Sequence, residues 1–533
     1  MKKIGFIFGS AIVLLLIIMG VQYFVQAPIT IHSTAIYVYL ASFFGCFGLI
    51  LHYFDDEDVD NVLSHASWII AIVIIALHVL FAIAGSPLLS AKDYASVVEI
   101  QEGNFSEEIP LPDTIAIMDQ ETAINIGSRV MGEIDDVSQY NISDEYNMII
   151  YKGETYRVSP LEYSSEIKAL KNNGISGYVL VNCTTQEAKL VKLDEKIMYA
   201  PSAVFSHDLT RHIRASYLGA LLGKEQFEID EDGKPYYIIP VYKTKVGFFG
   251  GKALNKVLVV NAVTGKIDEY NTDNIPEWIE HADSIEHLAE ITTDNLIYQN
   301  GFLNTKFSQK NVKTLSYNYN TDDFKGYSSI KTNNGIEYFS GVTSINKDES
   351  ILGFMFMNPR NGKITMYNCV GAEESSAMDS AEALVQNYGY KASYPFIVNV
   401  NGIETYLIAL KDKTGTNKAY ALVNVKNYTI STQASSKDEA IKQYINLMDK
   451  KGRNTQTSES ELQEAKITSK INAIYTVSEE GTTYFYFTLE GYKELFVSSV
   501  LNNRNQVKLK VGDTITIEAK YINDCYIVSS IDF

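Results

Sequence analysis

Hydrophobic and polar positions divide the chain into two regimes. Three nearly unbroken apolar stretches come first: Ile4–Val25, Ala35–Phe54 and Ser67–Ala84. Each is close to the roughly 20 residues that a helix needs to cross a hydrocarbon core. The pattern therefore predicts three transmembrane helices. Beyond residue 118 the apolar runs shorten. Helical spacing (Ala123, Ile126, Val130 and Ile134 in Asp119–Ile134) gives way to short strand-like runs, and the alternation repeats. Helices are predicted at Asp119–Ile134, His207–Leu222, Glu277–Leu288, Ser376–Asn387 and Lys437–Met448. The last 68 residues alternate strongly, as in Tyr484-Phe-Tyr-Phe-Thr-Leu489 and Thr514–Ala519, which predicts a small all-β domain.

One short pattern occurs four times without gaps: an apolar residue, then Asn182, Asn261, Asn358 or Asn424, then a turn and a new strand. A glycine precedes each copy: Gly153, Gly233, Gly335 and Gly402, at separations of 29, 28, 23 and 22 residues. Internal repetition of this kind fixes the architecture before other signals do. Turns such as Thr264-Gly265 and Asn361-Gly362 suit hairpins, because Gly and Asn tolerate the positive φ that tight turns demand. Asn can also bond its own backbone across the turn. Turn formation is therefore the expected role of all four asparagines.

The expected fold class is α+β. Three transmembrane helices (1–90) and a connector (91–118) lead into four helix-plus-antiparallel-meander modules at 119–195, 196–272, 273–372 and 373–452. A polar linker (453–465) and a β domain (466–533) follow. Four serial modules predict an extended stalk. Lys2 and Lys3 place the amino terminus inside, so three crossings put the modules outside. The loop Asp55–Asp60, which would be cytoplasmic, carries no Lys or Arg. A cleaved signal peptide is the competing reading of the first stretch, and it also leaves the modules outside.

Composition narrows the function classes. A net charge of −19 argues against nucleic acid and against docking on anionic headgroups. The four cysteines are widely spaced, without C-x-x-C, and signal neither a zinc knuckle nor a disulfide framework. In 466–533, seven Lys and Arg face eight Asp and Glu, which disfavours a nucleic-acid groove.

The runs Pro235-Tyr-Tyr-Ile-Ile-Pro240 and Val257-Leu-Val-Val-Asn-Ala-Val-Thr-Gly-Lys-Ile267 carry a resemblance to the PepSY-type module of cell-envelope proteins. Module three keeps Asn-Gly at the turn, whereas modules one and four lack the glycine. Phe248-Phe-Gly-Gly-Lys252 and Gly371–Met378 resemble poorly characterised multi-span envelope proteins of Gram-positive bacteria. Lys510-Val-Gly-Asp-Thr-Ile-Thr-Ile517 resembles the strand entry of five-stranded OB-type barrels. These resemblances imply an envelope location and an exported or envelope protein as partner. They imply no catalytic residues.

Chemistry-bearing patterns are few. Ser165-Glu-Ile-Lys168, Thr272-Asp-Asn274 and Lys413-Thr-Gly415 follow the order of the three motifs of penicillin-binding serine acyltransferases. Such an enzyme would need Ser165 at a helix start and Lys168 one turn on. The motifs are short and built from common residues. His281 and His287 lie six apart, on nearly opposite faces of a helix, so Glu280-His281 and Glu286-His287 are expected to form a solvated acidic helix rather than a metal site. His207 and His212 read as a polar helix face. His52 and His78, in or at the spans, have no acidic partner in the same stretch and are expected to be interfacial or packed between helices. No catalytic, cofactor or metal residue is assigned. The expected function is a non-enzymatic, membrane-anchored scaffold, binding or regulatory protein of the bacterial envelope. The alternatives are a cell-wall acyltransferase using Ser165 and Lys168, and a membrane component of a secretion or conjugation apparatus.

Overall fold

The computed structural model describes residues 2–53, 58–105, 109, 117–134, 137–317, 326–345, 350–455, 464–479, 482–499, 507–522 and 525–532. Part of the acidic loop and most of the 453–465 linker lie outside them. The chain forms two compact units, residues 1–445 and 446–533.

The first unit opens with α1 (Lys2–Val25), α2 (Thr34–Tyr53) and α3 (Asp58–Ala84). Their segments Gly5–Val25, Thr34–Tyr53 and Val62–Ala84 are long and apolar enough to cross a membrane. Helices α2 and α3 meet closely where Gly48 lies against the Trp68 ring and its carbonyl accepts the Ser64 hydroxyl at 2.9 Å. The connector is more structured than its polarity suggests. It holds α4 (Pro87–Ala95) and β1 (Ile100–Glu102), which joins a later sheet.

Four sheets of one topology follow, numbered here as modules one to four. Module one has α5 (Gln120–Gly127), β2 (Tyr140–Ile142), β3 (Asn147–Tyr151), β4 (Glu154–Tyr163), α6 (Glu166–Lys171), β5 (Ile175–Asn182) and β6 (Ala188–Ile197). Module two has α7 (Leu209–Ser216), β7 (Leu221–Leu222), β8 (Gln226–Ile229), β9 (Pro235–Val246), β10 (Gly250–Asn261) and β11 (Ile267–Asn271). Module three has α8 (Ile285–Tyr298), β12 (Lys313–Leu315), β13 (Ser328–Thr332), β14 (Gly335–Ser344), β15 (Ser350–Met357) and β16 (Ile364–Ala372). Module four has α9 (Glu374–Ala383), β17 (Lys391–Ala392), β18 (Phe396–Val400), β19 (Ile403–Lys411), β20 (Asn417–Asn424) and β21 (Ser431–Ala434). In each, two short strands pair with different stretches of one long strand, and two further strands extend the sheet antiparallel. Strand β1 adds to module three, parallel to β16.

The repeated residues do what their chemistry predicts. Gly153, Gly233, Gly335 and Gly402 all adopt positive φ, between 81° and 97°, at the first hairpin of their modules. The side-chain oxygens of Asn182, Asn261 and Asn358 each accept two main-chain N–H groups two and three residues on. Asn424 accepts one, from Asn427 at 2.8 Å.

Helix boundaries differ from the periodicity. Asp119 caps α5 through Thr122 N–H, but the helix tightens to a 3₁₀ turn at Ser128–Glu133. Helix α7 stops at Ser216, and the Arg214 side chain reaches forward to the carbonyls of Tyr217 and Ala220 in the segment that follows. Helix α8 begins at Ile285, capped by Ser284, whereas residues 277–283 form a loop. Helix α9 ends at Ala383 rather than Asn387. The 437–448 helix continues as α10 (Lys437–Thr455) into the expected linker.

The modules do not form an open stalk. One hydrophobic core runs through modules one and two, joining Val158, Val179, Ile239 and Val260. Ala372 N–H donates to Val425 O and Tyr406 O–H to Ala372 O, tying module three to module four. Module four then returns to module one. Lys411 bridges Asp119 at 2.5 Å and Glu121 at 3.0 Å, Arg129 donates to Thr416 Oγ1, and Gln186 donates to the Tyr420 hydroxyl.

The second unit is a closed five-stranded barrel of β22 (Glu464–Glu479), β23 (Thr482–Leu489), β24 (Leu495–Ser499), β25 (Thr514–Ile522) and β26 (Cys525–Asp532). The order is β22-β23-β24-β26-β25, closed by β25 against β22, with only β24 and β26 parallel. Phe487, Phe496, Ile515 and Ile517 fill it. Although the alternation in this domain extends over Val507–Leu509, that segment is a short 3₁₀ turn and loop rather than a strand.

Candidate functional site: a cleft among three modules

Modules one, three and four enclose a cleft of about 590 Å³, lined by Asp119, Glu121, Arg157, Tyr327, Glu374 and Tyr394 among others. That volume lies within the usual span of small-ligand pockets. Arg157, on β4, is 4% exposed. Its Nε and Nη2 donate to Met118 O at 3.1 and 3.0 Å, and Nη1 donates to Tyr146 O at 2.8 Å. These three bonds hold the guanidinium at the end of the connector. Glu374, at the start of α9, is 2% exposed. It accepts the Tyr394 hydroxyl at 2.9 Å and the Ser316 hydroxyl at 3.2 Å. Burial pushes its carboxyl upward, and those two hydrogen bonds pull it back only partly. Gly341 on β14 leaves room for this carboxyl, which occupies the place a Cβ would take. On the module-one side, Asp119 both caps α5 and pairs with Lys411. The cleft can therefore offer a buried cation, a buried acid and phenol hydroxyls to a ligand.

A second polar cluster joins modules two and three. The Glu228 carboxylate on β8 is fully buried. It accepts Glu280 N–H at 2.9 Å, His281 N–H at 2.6 Å and His281 Nδ1 at 2.8 Å. Asp283 in the loop and His287 in the first turn of α8 form another buried pair. His287 Nδ1 meets Asp283 Oδ2 at 2.7 Å, His287 Nε2 meets Lys252 O at 3.1 Å, and Tyr242 O–H donates to Asp283 Oδ1 at 2.7 Å. Both His287 nitrogens face acceptors, so a ring that serves both carries two protons. Burial lowers its pKa, but Asp283 and the Lys252 carbonyl raise it by more, and the net shift is upward. The expected solvated acidic helix is thus corrected: Glu280, His281 and His287 are buried, and part-exposed Glu286 pairs with Lys224 at 3.2 Å. Glu228, the partner of His281, lies 53 residues from it, beyond the reach of any local pattern. Among the described residues no group of three or more His, Cys, Asp or Glu is placed to hold a metal.

The acyltransferase-like motifs make local contacts. Ser165 precedes α6 as its cap residue, but its side chain makes no capping bond. The Lys168 ammonium donates to Ser164 Oγ at 2.8 Å and to Ser138 O, not to Ser165. Thr272 and Asp273 bond each other in an exposed turn. Gly415 closes a turn around Asp412, whose side chain accepts Thr414 and Thr416 N–H. His212 Nε2 lies 2.7 Å from Gly265 O, beside the module-two Asn turn.

Module two is seated on the spans. Its β9–β10 tip places the Phe248 ring 4.0 Å from that of Phe81, while Phe249 packs on Tyr37 and His78. His32 Nδ1 lies 3.0 Å from Phe248 O. Gly247 packs against Gly85 just past the end of α3, where a Cβ on Gly247 would come 2.7 Å from the Gly85 Cα. Arg214 donates to Gln26 O at 2.9 Å, and Ile29 N–H to Leu218 O at 3.0 Å. The Phe-Phe-Gly-Gly run therefore has a packing role that local sequence could not disclose.

The chain matches no protein-family model and no curated protein. Among solved structures it is similar to a GH32 β-fructofuranosidase of Bombyx mori at 10% identity, covering 77% of this chain and 68% of that one. The TM-score of 0.16 is too low to carry an argument about fold or activity.

Proposed function

We propose that this protein is a non-enzymatic binding or scaffold protein of the bacterial cell envelope, with its modules on the outer side of the membrane. The observation that carries the reading is the seat of module two on the spans. It fixes the modules to the end where α1 and α3 finish and α2 starts. Lys2 and Lys3 mark the opposite end as cytoplasmic. We further read the four modules as PepSY-like and the terminal barrel as OB-like. The shared topology of the four sheets and the strand order of the barrel support this. The three-module cleft is the proposed place where an exported or envelope protein presents a segment, because it gathers a buried cation, a buried acid and hydroxyl groups in one opening.

The test is crosslinking in intact cells with a membrane-impermeant lysine reagent, followed by mass spectrometry. Exposed lysines such as Lys189 and Lys266 should label and capture a specific envelope protein. Labelling only after lysis, repeated with the wall removed, would sink the outer location.

A further inference from the structure

We propose that one edge of modules one and two dips into the interfacial layer of the bilayer beside α1. The inference rests on the reading that α1–α3 span a membrane. Four large apolar side chains outside the spans define the edge. Phe205 is 60% exposed, Ile167 64%, Leu170 56% and Leu218 50%.

Their position follows from direct bonds to the end of α1. Arg211 donates Nη1 to Phe205 O at 2.7 Å and Nε to Tyr23 O at 3.3 Å. Its guanidinium also stacks 4.3 Å from the centre of the Tyr23 ring. Tyr23 belongs to the Gly5–Val25 segment, so Phe205 stands at the depth where that segment leaves the hydrocarbon. Leu218 O accepts Ile29 N–H, just past the same end. Leu170 and Phe205 line one groove of about 230 Å³, which makes the edge continuous with α6.

Two further features point to lipid. Phe205 adopts φ +55°, a left-handed conformation that a bulky residue rarely takes. Such an outlier argues from structure toward use, since strain persists where the surroundings enforce it. Here it presents an exposed aromatic ring next to a span. The edge carries Lys168, Lys171 and Arg211 against Glu166 and Asp208, a net of +1, whereas the whole chain carries −19. Apolar side chains rimmed by basic ones are the pattern of surfaces that lie in the headgroup and acyl boundary. The Ser165-Glu-Ile-Lys168 segment thereby acquires a role as a membrane-facing helix.

The test uses the full-length protein in phosphatidylcholine liposomes whose acyl chains are brominated near the headgroup. The chain has two tryptophans, Trp68 in α3 and Trp278 in the loop after module two. In a Trp278→Phe background, Trp68 reports on the span. In a Trp68→Phe, Trp278→Phe background, Phe205→Trp and Leu170→Trp report on the edge. In that same background Val370→Trp, at a 69% exposed site on module three, is the aqueous control. We expect the bromolipid to quench the Phe205→Trp and Leu170→Trp variants strongly. Aqueous iodide should quench the Val370→Trp variant alone. If iodide quenches both edge variants while bromolipid quenches only Trp68, the edge faces water or a protein partner and the inference is overturned. If bromolipid spares Trp68 as well, the membrane reading falls with it. Two edge variants guard against misfolding of either one.

Discussion

Removing the Glu228 carboxylate should be among the most damaging single changes in the first unit. Glu228→Ala deletes the acceptor of three hydrogen bonds at 2.6–2.9 Å. It strands the N–H groups of Glu280 and His281, in residues 5% and 1% exposed. Each stranded buried N–H costs about 1–3 kcal/mol. With two such groups stranded and the His281 ring deprived of its partner, we expect a loss of about 4 kcal/mol for Glu228→Ala. His281→Ala leaves the carboxylate its two main-chain donors and should cost less, about 2 kcal/mol. The double variant should fall short of the sum by more than about 0.5 kcal/mol, as expected for residues in contact. Urea titration in detergent, followed by Trp278 fluorescence in a Trp68→Phe background, reads the junction directly, because Trp278 packs 5.0 Å from Tyr236 beside this loop. A loss under about 1 kcal/mol for Glu228→Ala, or strict additivity, would refute the claim that this carboxylate joins the modules.

The raised pKa of His287 makes its contribution to stability complete below about pH 6.5, the ordinary imidazole value, and lost as pH rises through the higher folded value. Urea midpoints measured across pH should show an alkaline decline in the wild type that shrinks in His287→Gln. Gly265 and Gly362 sit at equivalent turns with φ +74° and +69°, but only Gly265 has a ring, that of Tyr199, where a Cβ would go. Gly362→Ala should cost about 1–2 kcal/mol from backbone strain alone, and Gly265→Ala clearly more, by the same titration. Lys411→Met removes the cation between Asp119 and Glu121. Because Glu121 is 75% exposed, the expected loss is about 2 kcal/mol rather than the full cost of a buried pair. Limited proteolysis should then cut sooner near residues 119–134 and 412–418, and an unchanged digestion pattern would show that the bridge is dispensable.

Local chemistry was readable and long-range chemistry was not. The three spans, the four asparagine turns and the positive-φ glycines follow from length and residue type, and the structure places them within a few residues of expectation. The helix ends failed where a side chain bonds out of register. Arg214 reaches forward to Ala220 O past the end of α7, and Ser284, not the upstream apolar residues, starts α8. The buried histidines read as solvated because Glu228 and Lys252 lie 53 and 35 residues away from the groups they satisfy. The cleft was invisible for the same reason, since Arg157, Ser316 and Glu374 come from three modules.

The return of module four onto module one bears on how such a chain can evolve. An open array of repeats lengthens or shortens by duplicating or deleting a unit, because each new copy meets the same neighbour surface. Here Lys411, Thr416 and Tyr420 already meet Asp119, Arg129 and Gln186. A fifth copy inserted by duplication would have to force that pair of surfaces apart, and a deleted copy would leave both without a partner. Copy number is then held at four by geometry, and divergence is left to sequence. That accounts for four copies that share one strand order while retaining little more than a glycine and an asparagine in common.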